Sequence, residues 1–323
     1  MEKPRISPFI AIGFAILSVS TASIFIRLGQ GDGIPSLAIA AYRMTLEALF
    51  IAPFAIWKTR SEIRRIGGKD WILIILSGFL LACHFASWIT SLEYTSVASS
   101  VVLVTTAPLW VALLSPLFLK ESITKAIFIG LFVALLGSVI VGLSEACSFS
   151  PDLTCAVNRG LFSGKAFIGN LFALAGAFFS AGYLMAGRKV RGQLSLLAYV
   201  FLVYTIAALF LLFFVGITRT SLEITHPIDI VWLFALALVP QVIGHSTFNW
   251  ALKFLSAAYV SIALLGEPVG TVILAFFILK EKPTIFEVVG GVLILGGIYI
   301  ASTYQWGSME HHPPDMEGTM TLR

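Results

Sequence analysis

The chain has 323 residues, 58% of them apolar and only 12% charged, with a mean hydropathy of +0.94. That composition excludes a soluble globular domain. The formal net charge of +4 is no nucleic-acid footprint, because Lys and Arg sit in short connections between apolar runs rather than on one face.

Runs of about 20 apolar residues can cross a bilayer core of about 30 Å as helices. Ten are expected, at about 9–28, 36–57, 71–92, 98–119, 125–143, 167–187, 194–217, 230–252, 257–279 and 284–304. The short basic stretch 1–8 precedes a first run that is too long for a signal-peptide core and has no small-residue cleavage site, so that run is expected to stay as the first membrane helix. Most connections are short and rich in turn formers, as at Gly29-Gln30-Gly31-Asp32-Gly33. Two are longer: 58–70, which is basic, and 144–166, which is polar and joins the two halves. The second holds Cys147 and Cys155, either bonded to each other or two free thiols; Cys83 lies inside the third span as a small apolar filler. The tail 305–323 is polar and expected to be disordered. No spacing of Cys and His suggests a metal site, and no cofactor is implied.

Residues 264–281, LLGEPVGTVILAFFILKE, answer residues 104–121, VTTAPLWVALLSPLFLKE, at an offset of 160. Pro268 matches Pro108, and Leu279-Lys280-Glu281 matches Leu119-Lys120-Glu121. Without gaps, residues 92–140 and 252–300 share 13 identities in 49 positions, where composition-biased chance would give about four. The chain is a duplication: 1–143 is the first repeat, 167–304 the second. Counting Lys and Arg gives fourteen on the side of the N-terminus and six on the other, so both termini are expected in the cytoplasm. With five helices per repeat, an odd number, the second repeat enters the membrane upside down. The expected fold is therefore an all-α membrane protein of ten transmembrane helices in two inverted five-helix repeats, an architecture that can expose one site to either side in turn.

Several residues together resemble the EamA-type transporters of the drug/metabolite transporter superfamily. They are Arg43 near the start of the second helix, the Tyr94-Thr95-Ser96-Val97-Ala98-Ser99 turn, Pro108 followed by Leu-Phe-Leu-Lys-Glu at 117–121, and Glu267-Pro268 in the second copy. The resemblance covers nearly all of 9–304. It implies a central substrate cavity, alternating access and export of amino acids or other small metabolites from the cell across a multi-pass cell membrane protein. It leaves the substrate open.

Ionisable and polar groups at membrane depth are costly and so are candidates for function. Arg43 and Glu47 sit four apart on one face, either a self-neutralising structural pair or part of a cavity. The resemblance at Arg43 supports a structural or gating role as much as substrate contact. Gln241, His245 and Asn249 recur every four residues after Pro240, forming one stripe that faces either an aqueous cavity or a neighbouring helix. His84 and Trp88 share a face with Ser87 and Ser91; Trp88 is a stacking wall for an organic solute or a large core filler. Glu267 stands near the midplane, where a buried carboxyl can exchange a proton or act as a fixed acceptor; with His245 it is the candidate for proton coupling. Ala107 stands where Glu267 does in the other copy, so that chemistry is single-sided. Glycines 130, 137, 290, 291, 296 and 297 are read as helix packing. The partners expected are a small-molecule substrate and the lipid bilayer. An intramembrane enzyme would need a reactive constellation, and none is evident; a channel or sensor does not explain an inverted duplication as directly.

Overall fold

The computed structural model describes residues 6–95, 97–143, 147–149, 153–155, 164–224, 226–274, 276–277 and 282–310. In hydrocarbon a backbone must satisfy its own polar groups, and apolar runs of this length do so as helices. The first repeat contains α1 (Pro8–Val19), α2 (Ala22–Gly31), α3 (Ser36–Ile63), α4 (Gly68–Tyr94), α5 (Val97–Val104), α6 (Ala107–Phe118) and α7 (Lys125–Leu143). The second contains α8 (Gly164–Arg191), α9 (Leu196–Thr218), α10 (Pro227–Leu236), a π-helical segment (Ala237–His245), α11 (Ser246–Ala251), α12 (Ala257–Leu264), α13 (Glu267–Leu274) and α14 (Ile285–Glu310). Among the described residues nine continuous or kinked spans are long and apolar enough to cross a membrane, and Val102–Phe118 is a shorter apolar helix in the place of the expected fourth.

The fourth and ninth spans, read as unbroken helices from sequence, are each two half-helices. α5 stops at Val104 and α6 starts at Ala107; α12 stops at Leu264 and α13 starts at Glu267. The two breaks coincide to the residue at the offset of 160, so the duplication extends to the irregularities of the backbone. The cause is local. Pro108 and Pro268 carry no N–H to continue a helical ladder, so each takes the second position of a new helix, where no intrahelical donor is needed. The first span also breaks, after Val19, where Ser20 Oγ lies 2.6 Å from the Ile16 carbonyl and 2.8 Å from that of Glu267. A serine bonded back into its own helix bends it, and here the same hydroxyl ties the first span to the break in the ninth.

The repeats pack through equivalent contacts. α4 lies along α8, and α10 with the π segment lies along α1 and α2. α7 and α14, the last helix of each repeat, meet at four glycines. A Cβ on Gly130 would stand 2.5 Å from the Gly297 carbonyl oxygen, and one on Gly137 equally close to that of Gly290. The pairing is reciprocal under the offset, which puts this contact on the local two-fold axis between repeats. The other two glycines expected to pack do not take part: nothing lies within 4 Å of a Cβ on Gly296, and Gly291 meets only Val269, at 3.7 Å.

Between the repeats Cys147–Phe149 and Leu153–Cys155 form β1 and β2, an antiparallel pair whose register sets Cys147 opposite Cys155. The side chains of both cysteines lie outside the described residues, as does the tail 311–323, while α14 runs past the expected end at 304 to Glu310.

Candidate functional site

The site is assembled where the breaks converge. A cavity partly open to solvent is lined from seven spans. The break between α5 and α6 contributes Val104, Thr105, Ala107 and Pro108, and that between α12 and α13 contributes Leu264, Leu265 and Glu267. Interrupted helices belong at such a place, because their unpaired backbone groups can face water or solute only where a cavity exists.

Arg43 comes from α3 and is 1% exposed, yet it lines the cavity. Its Nε donates to Gln241 Oε1 at 2.8 Å, and its guanidinium lies 4.3 Å from the centroid of the Phe85 ring. These contacts fix the fork in position. Nη1 is left with no hydrogen-bond partner. An unmet donor on a buried guanidinium costs about 1–3 kcal/mol or more until water or a ligand meets it. Glu267 is the first residue of α13 and faces the same space, so the described residues lining the cavity include one fixed cation and one carboxyl.

Glu47 lies one turn along α3 at 0% exposure, behind Arg43 rather than on the cavity wall. The two make no hydrogen bond, and both Glu47 oxygens are unpartnered. Gln241 occupies the position beside Arg43 that sequence spacing offered to Glu47.

The stripe Gln241, His245, Asn249 does not act as one face. Pro240 lies within the π-helical segment Ala237–His245, and in that wider turn residues four apart fall short of a full revolution. Gln241 points behind Arg43, and His245 lines the cavity with its ring edge-to-face on Phe85 at 5.7 Å. Asn249 Nδ2 instead donates to Tyr204 Oη at 2.9 Å and to Tyr183 Oη at 2.5 Å, in a buried polar cluster on the N-terminal side of the cavity. Sequence reading missed this cluster, because the two tyrosines lie in different helices with no polar pattern around them.

α4 supplies His84 and Trp88. Their rings stack at 5.9 Å and 11°, His84 Nδ1 lies 2.9 Å from the Gly176 carbonyl, and both residues line the cavity. The carbonyl can only accept, so Nδ1 carries the hydrogen. Trp88 Nε1 is buried without a partner. Ser91 turns away, to the Trp88 carbonyl and Ser100. Thus Arg43, His84, Trp88, His245 and Glu267 meet in one cavity, while Glu47, Gln241 and Asn249 stand behind it. Thr105, Ser180 and Ser261 also line it and were not singled out from sequence. For Thr105 a signal was available, since it lies just ahead of the duplicated proline. Among the described residues no cluster of three His, Cys, Asp or Glu could hold a metal ion.

Against known proteins, the family model described as "EamA-like transporter family" matches twice, at residues 7–143 and 167–303. An "Uncharacterized transporter" of Archaeoglobus fulgidus is 25% identical over 289 residues, 87% of this chain and 92% of the relative. "Uncharacterized transporter YdfC" of Bacillus subtilis is 26% identical over 302 residues, 92% of each. A "WAT1-related protein" of Arabidopsis thaliana is 24% identical, covering 95% of this chain and 86% of the relative. One solved crystal structure superposes with a TM-score of 0.74 at 17% identity, over 94% of this chain and 99% of that one.

Proposed function

Because the chain belongs to the EamA-like transporter family, which accounts for both of its halves, we propose that this multi-pass membrane transporter exports a small organic metabolite by alternating access around the cavity between the helix breaks. The observation that carries the reading is the pairing of an unpartnered Arg43 Nη1 with Glu267 in one cavity whose remaining wall is largely apolar and includes the rings of Trp88, His84 and His245. A solute with an anionic group for the guanidinium, a cationic or hydrogen-bonding group for the carboxyl and an apolar or planar body for the remaining wall suits it; amino acids and related amphipathic solutes are of this kind. The two breaks are one element repeated in opposite orientations, so solute held between them is poised symmetrically with respect to the two faces.

Glu267 and His245 are the groups proposed to carry a coupled proton, and both termini are assigned to the cytoplasm. In this reading the helical halves 1–143 and 167–304 move relative to each other, the connection 144–166 lies outside, and Cys147 and Cys155 bond there.

The test is a thermal-shift screen of amino acids and small organic ions on purified protein, followed by uptake of any stabilising solute into proteoliposomes. Saturable uptake that Arg43→Gln weakens at least tenfold in apparent affinity supports the reading. Ion current without solute flux, or chemical turnover of the solute, would replace it with a channel or an enzyme.

A further inference from the structure

The duplicated Leu-Lys-Glu motif is not used by the cavity, and its first copy has an arrangement of its own. Lys120 follows α6 with φ at +58°, a left-handed backbone that a lysine adopts only at a cost. The turn directs Glu121 away from the first repeat and onto the second. Glu121 Oε1 accepts from Arg188 Nε at 2.6 Å, and Oε2 accepts the backbone N–H of Ala257, the first residue of α12, at 3.3 Å. Arg188 Nη1 donates in turn to the Leu252 carbonyl at 2.6 Å. One carboxylate therefore joins the end of α6, the last turn of α8 and the connection from α11 to α12.

These three places lie on the N-terminal side of the cavity. Ser180, two turns back along α8, and Ser261, one turn into α12, both line it. The Glu121 and Arg188 side chains are 22% and 28% exposed, so water reaches them. Such a pair fixes geometry yet separates readily, unlike a dry ion pair, whose rupture leaves a buried charge. We propose that Glu121, Arg188 and the start of α12 form a releasable latch, closed in this structure, that seals the cavity toward the N-terminal face and parts when the cavity opens there. The left-handed Lys120 is the feature that aims the latch across the repeats. The latch rests on the alternating-access reading above, but its test needs no knowledge of the solute.

Ser261→Cys serves as reporter in a chain with Cys83, Cys147 and Cys155 replaced by serine. Its reaction with a membrane-impermeant maleimide is timed separately from the N-terminal face and from the opposite face, in vesicles of the two orientations. Glu121→Gln, which keeps an acceptor for the Ala257 N–H, and Arg188→Gln are each expected to raise labelling from the N-terminal face by about threefold or more, the scale of a water-accessible ion pair. Labelling from the opposite face should fall at the same time, and the double substitution should do no more than either single one. A general loosening of the bundle would raise labelling from both faces, and that outcome, like no change from either, overturns the latch. If the glutamine variants melt at a lower temperature, Glu121→Asp takes over: keeping the charge, it should label more slowly from the N-terminal face than Glu121→Gln, and equal rates overturn the proposal. A reporter unreactive from both faces in every variant would remove the alternating cavity and the latch together. Reaction from both faces that is indifferent to residues 121 and 188 removes the latch alone.

Discussion

Glu267 sits at the first position of α13 and faces Arg43 across a cavity whose remaining wall is largely apolar. A carboxyl in such a place must meet water, a cation or a proton. If it carries a coupled proton, Glu267→Gln keeps the shape and removes the titration. Solute exchange at equal pH should then persist while accumulation driven by a pH gradient vanishes, as measured in proteoliposomes. If both activities fall together, Glu267 binds solute or braces α13. A second carboxyl can be tested through stability. Asp32, just beyond α2, neighbours Asp229 of α10; a proton shared with that carboxyl raises the Asp32 group above its ordinary value, with burial and charge repulsion smaller contributions. Asp229 Oδ2 already accepts the His226 N–H, and the histidine opposes the shift. A raised folded value means that the native state binds the proton more tightly, so the stabilisation is present on the acid side and is lost as pH rises through that value. Melting followed in detergent from pH 4 to 7 should show this decline, and Asp32→Asn should flatten it; an unchanged slope in the variant would assign the decline to other groups. At this scale the sequence carried the residue types but not their pairing. Arg43 and Glu47 had the right spacing to bond, and only the arrival of Gln241 from a π turn, which no local pattern announces, shows why they do not.

Among elements, the contact between α7 and α14 makes the sharpest demand on residue identity. The atoms facing Gly137 are the Gly290 carbonyl oxygen, 2.5 Å from an added Cβ, and the Ile294 backbone nitrogen, at 2.8 Å. Backbone cannot swing aside as a side chain can. Gly137→Val should therefore destabilise the protein by about 1–3 kcal/mol or more. Gly296→Ala, with nothing within 4 Å of the added carbon, should be neutral or slightly stabilising, since alanine is the better helix former by about 1 kcal/mol. Thermal unfolding in one detergent compares them, and equal losses would remove the glycine contact as a determinant of stability. The spans were legible because length and apolarity alone specify a bilayer helix. Their breaks were less so: Pro108 and Pro268 marked where a carbonyl must lose its partner, but whether a chain kinks or stops there depends on what stands beside it, here a cavity and the Ser20 hydroxyl.

For the whole molecule, the duplication was the most legible feature, since the matched residues that revealed it are also those that stop and restart the helices. Orientation in the membrane depends on the surplus of Lys and Arg on the N-terminal side, concentrated in 58–70. Ser61→Cys in a cysteine-free chain should resist an impermeant maleimide added outside intact cells and react once the membrane is permeabilised; ready labelling from outside would reverse the topology. The reciprocal glycine contact has one more consequence. It pairs each repeat with the other through the same surface, Gly130 with Gly297 and Gly137 with Gly290, and it owes nothing to the covalent connection at 144–163. The two halves should therefore find each other when made as separate polypeptides. Tagged 1–143 and 164–323 produced in the same cell should co-purify as a stoichiometric pair, and Gly137→Val on the first piece should abolish their recovery together. In that form the protein would be a heterodimer of two five-helix subunits, with the peptide link serving only to keep their numbers equal.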